Sequence, residues 1–292
     1  MKKVGLIGLG SIGHPLSVNL IEQGYKVYGY RRSAMDDFVQ AGGIATSSPK
    51  EVAEKCDIII TVVPSPEALH EIVSGENGLL SADRENLTLI ELGSFQPSVK
   101  ENVKAKMEQA GHAMLDAPIL GVPDMVANRQ GVVFASGEKS VYEQCKDIFD
   151  AMSDKAFYLG EFGVGTKMKF VANSLVGIHI LATAEAMTLG LKAGLDKDIL
   201  LKIIPNSAAS STQFEVRAPM MADKEYEPAR AACALLQKDL AGIVDFLDEL
   251  DCNNPLTRVA NEYFQRTKEQ GLTEKDCAAV VEVVAKENGL KL

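Results

Sequence analysis

One glycine-rich turn constrains this chain more than any other feature. Gly8-Leu9-Gly10-Ser11-Ile12-Gly13 directly follows an apolar run at residues 4–7 and opens an amphipathic segment at 12–23. A GxGxxG pattern alone is weak. Set between a strand and a helix, in the first strand–helix–strand unit, it has the context that a dinucleotide site requires. Gly8 permits the tight turn, Gly10 lets backbone amides approach a pyrophosphate, and Gly13 lets helix and strand pack closely. The helix N-terminus then faces the phosphates.

The rest of the first half repeats this alternation. Residues 4–7, 26–30, 57–63, 87–92, 113–117, 132–136 and 156–159 read as strands, and 12–23, 49–55, 66–73, 97–110 and 141–152 as helices. Near-continuous apolar strands alternating with helices predict a parallel sheet covered on both faces. After Gly163 the strand signal stops. Residues 166–193 keep helical periodicity up to Gly194, and 197–204, 229–250, 256–270 and 274–288 read as further helices. The expected architecture is a doubly wound α/β Rossmann domain over 1–162, followed by an all-α domain over 163–292. The boundary falls in the Gly160–Gly165 stretch, where a long helix leaves the first domain.

Composition narrows the function classes. A formal net charge of −10 leaves no domain-wide basic footprint, which argues against a nucleic-acid partner. The five cysteines are scattered without paired spacing and read as reduced, buried thiols of a cytoplasmic protein. The four histidines have no metal-ligand spacing, so no metal is expected. The start MKKVGLIGLG is basic and then apolar, but it leads into the glycine motif and not a cleavage site. The longest uncharged apolar stretch, 170–184, is shorter than a membrane span and is expected to be a buried helix.

The second strand bears on the cofactor. An NAD site places a carboxylate at its C-terminal end to take the ribose 2′-hydroxyl. Here Tyr30 is followed by Arg31-Arg32-Ser33, and the nearest acids, Asp36 and Asp37, lie one helical turn later. Two guanidiniums and a hydroxyl suit a 2′-phosphate, so NADP(H) is the expected cofactor. The alternative is a solvated charge pair.

The chain resembles the β-hydroxyacid dehydrogenase family, the group of 3-hydroxyisobutyrate dehydrogenase and glyoxylate/succinic semialdehyde reductase. Several separated motifs carry the resemblance. Residues 8–20 are similar to the N-terminal GxGxMGxPMAxNL signature. Asp116-Ala117-Pro118-Ile119-Leu120-Gly121-Val122 stands in place of the DAPVSGG substrate loop. Residues 163–173, Gly163 to Asn173, match the GxGxxxKxxNN segment, and Lys238-Asp239-Leu240 lies in the helical half. The resemblance implies a helical domain of the 6-phosphogluconate dehydrogenase C-terminal type, a homodimer or homotetramer, and an active-site cleft at the domain boundary. It implies cofactor contacts from Leu9, Ser11, Ile12, Val63, Pro64, Ser65, Ser94 and Lys238. It implies substrate contacts from Pro118, Leu120, Gly121, Val122, Lys169 and Asn173.

Adding a hydride to a carbonyl carbon leaves charge on the oxygen, and a donor beside it supplies the proton. Lys169 is the matching residue. On a helix Lys169 and Asn173 share a face, so Asn173 can orient the lysine or the substrate. Lys238 has a competing reading as an ion pair with Asp239 or Asp245. His14 reads as a helix-surface residue.

The substrate loop departs from the family pattern. Leu120 replaces its serine, Val122 replaces a glycine, and Ala172 replaces the first asparagine of the NN pair. The amides of Gly121 and Val122 remain as donors, and Arg230 is a possible substitute anion contact. The reading is therefore an NADPH-dependent reductase of a small aldehyde or keto acid, or the reverse oxidation. An imine reductase is the runner-up. A catalytically silent NADPH-binding sensor is a third reading, which the presence of Lys169, Asn173 and Lys238 disfavours.

Overall fold

A computed structural model describes residues 2–291. The chain divides into two compact units, Met1–Lys169 and Phe170–Leu292. The first contains β1 (Lys3–Ile7), α1 (Gly13–Glu22), β2 (Lys26–Tyr30), α2 (Asp36–Gln40), β3 (Ile44–Ala45), α3 (Pro49–Lys55), β4 (Ile58–Thr61), α4 (Pro66–Ser74), β5 (Thr88–Glu91), α5 (Pro97–Gln109) and β6 (Ala113–Asp116). These are followed by β7 (Ile119–Leu120), α6 (Pro123–Ala127), β8 (Val132–Ala135), α7 (Lys139–Met152) and β9 (Lys155–Tyr158). Helix α8 (Val164–Lys192) starts in this unit and continues into the second.

The main sheet has six parallel strands in the order β3-β2-β1-β4-β5-β6, the doubly wound arrangement. Successive strand residues divide between two cores. Leu6, Ile60, Ile90 and Leu115 face one cluster with Leu16 and Leu20 of α1 and Phe149 of α7. Ile7, Ile59, Leu89 and Met114 face the other, with Val52 of α3, Leu69 of α4 and Val103 of α5. Burial on both faces is why these strands are continuously apolar and not alternating. Full burial of each such side chain contributes roughly 1.5–3 kcal/mol, more than any propensity difference between helix and strand.

The register aligns the strand ends. Ile7 pairs with both Tyr30 and Thr61, Thr61 with Glu91, and Glu91 with Asp116. The loops after β1, β2, β4, β5 and β6 therefore leave one edge of the sheet together, the edge where such folds bind ligands.

The apolar runs at 132–136 and 156–159 are strands, but they do not extend this sheet. They form β8 and β9 of a separate three-stranded sheet, β7-β8-β9, in which β7 is antiparallel to β8. The short β7 is too brief to show periodicity, and the choice of partner strand is not a local property. A bridge between Asp116 and Ser136 ties this sheet to the end of β6.

A charged cluster is sealed under that end. The Nζ of Lys100 on α5 lies 2.6 Å from Glu91 Oε2 and 2.7 Å from Asp116 Oδ1, with all three side chains fully buried. Gly93 N–H donates to Glu91 Oε1 at 2.7 Å, so the cluster also shapes the loop after β5. Burial alone would lower the ammonium, but Asp116 and Glu91 outweigh it and hold Lys100 above its ordinary value. Burial raises the Glu91 carboxyl in spite of Lys100.

The second unit contains the rest of α8 with α9 (Lys197–Ile203), α10 (Thr212–Asp223), α11 (Cys233–Glu249), α12 (Pro255–Glu269) and α13 (Val280–Glu287). Helix α10 escapes sequence reading because Pro219 lies inside it and breaks the expected pattern. The expected helix at 229–250 begins only at Cys233. Asp276 takes the N–H groups of Arg230 and Ala231, and Ala232 bridges Asp276, which holds this stretch extended. The same turn delays α13, expected from 274, to Val280, after a single tight turn at Cys277–Ala279. By length and composition alone, α8 is apolar enough to cross a membrane. Its Ile180, Leu181, Ala184 and Met187 are buried in the core of the second unit.

Four cysteines are buried, and burial pushes the Cys56 and Cys145 thiols up to about 12. Cys252, expected inside with the others, is exposed. It sits in the loop between α11 and α12, where no core covers it.

Replacing Lys100 by methionine leaves Glu91 and Asp116 buried without a counter-charge. Lys100→Met is expected to cost about 3–5 kcal/mol, read from the midpoint of urea unfolding. An unchanged midpoint would show that the cluster is energetically idle.

Candidate active site

The glycine turn has the geometry its pattern demands. Gly8 has φ +96°, and its N–H donates to Tyr30 O at 2.9 Å. A Cβ on Gly8 would lie 1.9 Å from Val62 O, and one on Gly13 would lie 1.8 Å from Gly8 O. Both positions exclude any side chain. Gly10 differs, since a Cβ there would meet nothing within 4 Å. Its missing side chain leaves space open in front of α1.

The N-terminus of α1 is also open. It has no side-chain cap and no acid in its first turn. Helices α3 and α4 contrast with it, being capped by Ser48 and Ser65. An uncapped N-terminus beside an open glycine fits a pyrophosphate, because its N–H groups and dipole favour an anion. The turn is thus suited to a dinucleotide on this chain's own geometry.

At the end of β2 the two arginines have different surroundings. Arg31 donates through Nη1 to Leu9 O at 2.8 Å and to Asp37 Oδ2 at 3.1 Å, while its Nη2 pairs with Asp37 Oδ1. Those bonds hold the Asp37 carboxyl below its usual range. Arg31 is committed to its own chain, whereas Arg32 and Ser33 are exposed. His14, with its Nδ1 3.7 Å from Asp37 Oδ2, lies beside this pair.

The other loops follow along the same edge. Val63 packs on the core cluster below, and Pro64 is exposed. Ser65 has a structural task, since its Oγ accepts the Ala68 N–H at 3.2 Å as the cap of α4. Ser94 is half-buried beyond Gly93.

The segment expected to hold substrate is a strand at its start. Pro118 O accepts the Phe134 N–H at 3.0 Å, and Leu120 pairs with Val132. Gly121 and Val122 lead into α6. Lys169 is 7% exposed, and its Nζ donates to the Ile119 carbonyl. A buried ammonium at this carbonyl is unusual enough to mark chemistry, because lysine is rarely buried without a task. Lys167 is exposed on the same helix.

In the second unit Asn173 is buried, and its Nδ2 donates to Asp239 Oδ2 at 2.8 Å. Lys238 lies 3.3 Å from Asp239 Oδ1, the ion pair that was its competing reading. Arg230 is exposed. Among the described residues no group of His, Cys, Asp and Glu is placed to hold a metal ion.

Several residues at these places were not singled out from the sequence. Asp37 gives no signal of its fold-back onto Arg31. Asp239 was visible only as a neighbour of Lys238, not as the partner of Asn173. Lys100, Thr166 and Ser136 are separated in the chain and meet only through the fold.

Residues 3–160 match the NAD binding domain of 6-phosphogluconate dehydrogenase, and residues 163–284 match the NAD-binding domain of NADP-dependent 3-hydroxyisobutyrate dehydrogenase. The chain is 30% identical to L-threonate dehydrogenase from Cupriavidus necator, over 97% of this chain and 96% of that protein. It is 30% identical to glyoxylate/succinic semialdehyde reductase 1 from Arabidopsis thaliana, over 97% and 98%. In structure it is similar to 3-hydroxyisobutyrate dehydrogenase from Salmonella typhimurium, with a TM-score of 0.88 at 24% identity, covering 97% of this chain and 100% of that one. An imine reductase from Streptomyces aurantiacus shares the fold with a TM-score of 0.65 at 18% identity, covering 97% and 99%. The chain belongs to the β-hydroxyacid dehydrogenase family, NAD(P)-dependent oxidoreductases acting on CH–OH or C=O groups.

Proposed function

We propose that this chain is an NADPH-preferring reductase of a small aldehyde or keto acid, able to run the reverse oxidation, with Lys169 as general acid and base. The observation that carries it is the buried Lys169 ammonium at the Ile119 carbonyl, in a chain whose glycine turn is built for a dinucleotide. When bound, the nicotinamide supplies or accepts the hydride. Lys169 gives its proton to the carbonyl oxygen as that oxygen gains charge, and takes it back in the oxidation. Asn173, held by Asp239, orients substrate one helical turn away on α8. Lys238 is proposed to contact the cofactor.

The cofactor preference rests on the end of β2. Asp37 is neutralised by Arg31 and is a poor acceptor for a ribose 2′-hydroxyl. Arg32 and Ser33 are exposed and suited to a 2′-phosphate. On the substrate side, Leu120 and Val122 offer no side-chain donor, so a carboxylate would depend on the Gly121 and Val122 amides and on Pro118 shaping the loop. The same apolar loop, with the shared fold, favours imine reduction as the second reading. Lys169 weighs against it, since an imine accepts hydride as the protonated iminium, a cation that a neighbouring ammonium would disfavour.

The chain is further proposed to act in the cytoplasm as a homodimer or homotetramer. Val171 and Leu175 of α8, Leu235 of α11 and Leu256 of α12 are exposed apolar side chains that a partner subunit would cover. Light scattering of the purified protein is expected to give a multiple of the 31.4 kDa chain mass, and a monomer would refute the assembly.

Lys169→Ala is expected to lower kcat by about 10²–10⁴-fold on glyoxylate or succinic semialdehyde, with NADPH affinity nearly unchanged. Turnover near the wild type would remove Lys169 from the chemistry. Arg32→Ala is expected to lower kcat/KM for NADPH by roughly 10- to 100-fold and leave that for NADH almost unaltered, because a charged phosphate contact is lost. Equal losses with both cofactors, or a wild-type preference for NADH, would overturn the assignment.

A further inference from the structure

We propose that Asp116 is a positioning residue for Lys169, acting through Thr166 on the first turn of α8. This rests on Lys169 being the proton donor. The first N–H groups of any helix lack partners within it. At the start of α8 two of them are taken by Ser136, just beyond β8, and by Asp116 at the end of β6. Thr166 N–H donates to Asp116 Oδ2 at 2.8 Å, and Thr166 Oγ1 donates to Asp116 Oδ1 at 2.7 Å. Gly165 N–H donates to Ser136 Oγ at 2.9 Å, and Ser136 Oγ donates to Asp116 Oδ2 at 3.1 Å. A Cβ on Gly165 would lie 2.1 Å from Phe134 O, so the helix starts hard against β8.

Asp116 thereby fixes both partners of one contact. Lys169 follows Thr166 by three residues, one turn along the helix that Asp116 caps. Ile119, whose carbonyl receives the Lys169 ammonium, follows Asp116 by three residues, just beyond the end of β6 that Asp116 forms. The carboxylate needed for this task is held by Lys100 from below and by the N-terminal dipole of α8 from above. No solvent reaches it, since the Asp116 side chain is fully buried. The proton donor of the reaction is thus aimed by a buried salt-bridge cluster that touches neither substrate nor cofactor.

The test pairs Thr166→Val with Asp116→Asn in the full chain, with Thr166→Ser as the conservative rescue. Thr166→Val removes one hydroxyl and keeps the shape, so it reports even where Asp116→Asn fails to fold. Both variants are expected to lower kcat about tenfold or more with the NADPH dissociation constant unchanged, and Thr166→Ser to recover most of the loss. Amide exchange at Gly165 and Thr166 should quicken. The alkaline limb of kcat/KM should also move to lower pH. A carbonyl accepting from an ammonium stabilises its charged form, so a loosened Lys169–Ile119 contact lets the lysine lose its proton earlier. Wild-type kcat and an unmoved pH profile in folded Thr166→Val would overturn the positioning role. If Lys169→Ala kills turnover while that result holds, the proposed function stands and only the positioning fails. If Lys169→Ala is active, both fall.

Discussion

The Lys100 ammonium between Glu91 and Asp116 is the contact on which the rest of the first unit is organised. It joins the C-terminal ends of β5 and β6 to α5, and through Asp116 it reaches the start of α8. Taking such ions out of water costs several kcal/mol each, and the cost is offset only where every lone pair finds a donor. Here the Lys100 ion pairs and several hydrogen bonds offset part of that cost. Glu91 receives Gly93 N–H and Lys100, and Asp116 receives Lys100, Thr166 and Ser136. Apolar side chains could fill the same volume, but they would not impose direction on a loop, a strand end and a helix start together.

The dinucleotide end follows a different logic, that of leaving groups unused. Two helix N-termini in this unit are closed by side chains, Ser48 at α3 and Ser65 at α4. Helix α1 has no such cap, and Gly10 keeps the space before it clear. Arg31 braces the turn from behind by holding Leu9 O, and in doing so withdraws both itself and Asp37 from ligand chemistry. Arg32 and Ser33 remain the exposed polar side chains just beyond β2. In a chain with net charge −10, an anionic cofactor is met by such local placement and not by a broad attractive field.

At the substrate end, polarity has been moved from side chains to the backbone. Leu120 lies in a strand, paired with Val132, and contributes no donor. What remains polar there is the carbonyl of Ile119, already taken by Lys169, and the amides beyond it. On the proposed function, such a loop would discriminate by shape more than by charge pairing.

The local patterns of the sequence determined the alternation of strand and helix, the glycine turn and the change to an all-helical second unit. Each depends on neighbours within a few residues, where periodicity and turn chemistry act. Those patterns also marked Lys169, because a lysine in an apolar helix conflicts with burial unless it has a task. Tertiary structure alone decided that β8 and β9 leave the main sheet, that Pro219 sits inside α10, and that Asp276 delays α11. It also decided that Lys100, Glu91, Asp116 and Thr166 share one buried site. The reason is physical. Strand pairing and buried ion contacts join residues tens of positions apart, and their energies depend on exclusion of water, which no segment of the chain achieves before the whole has folded.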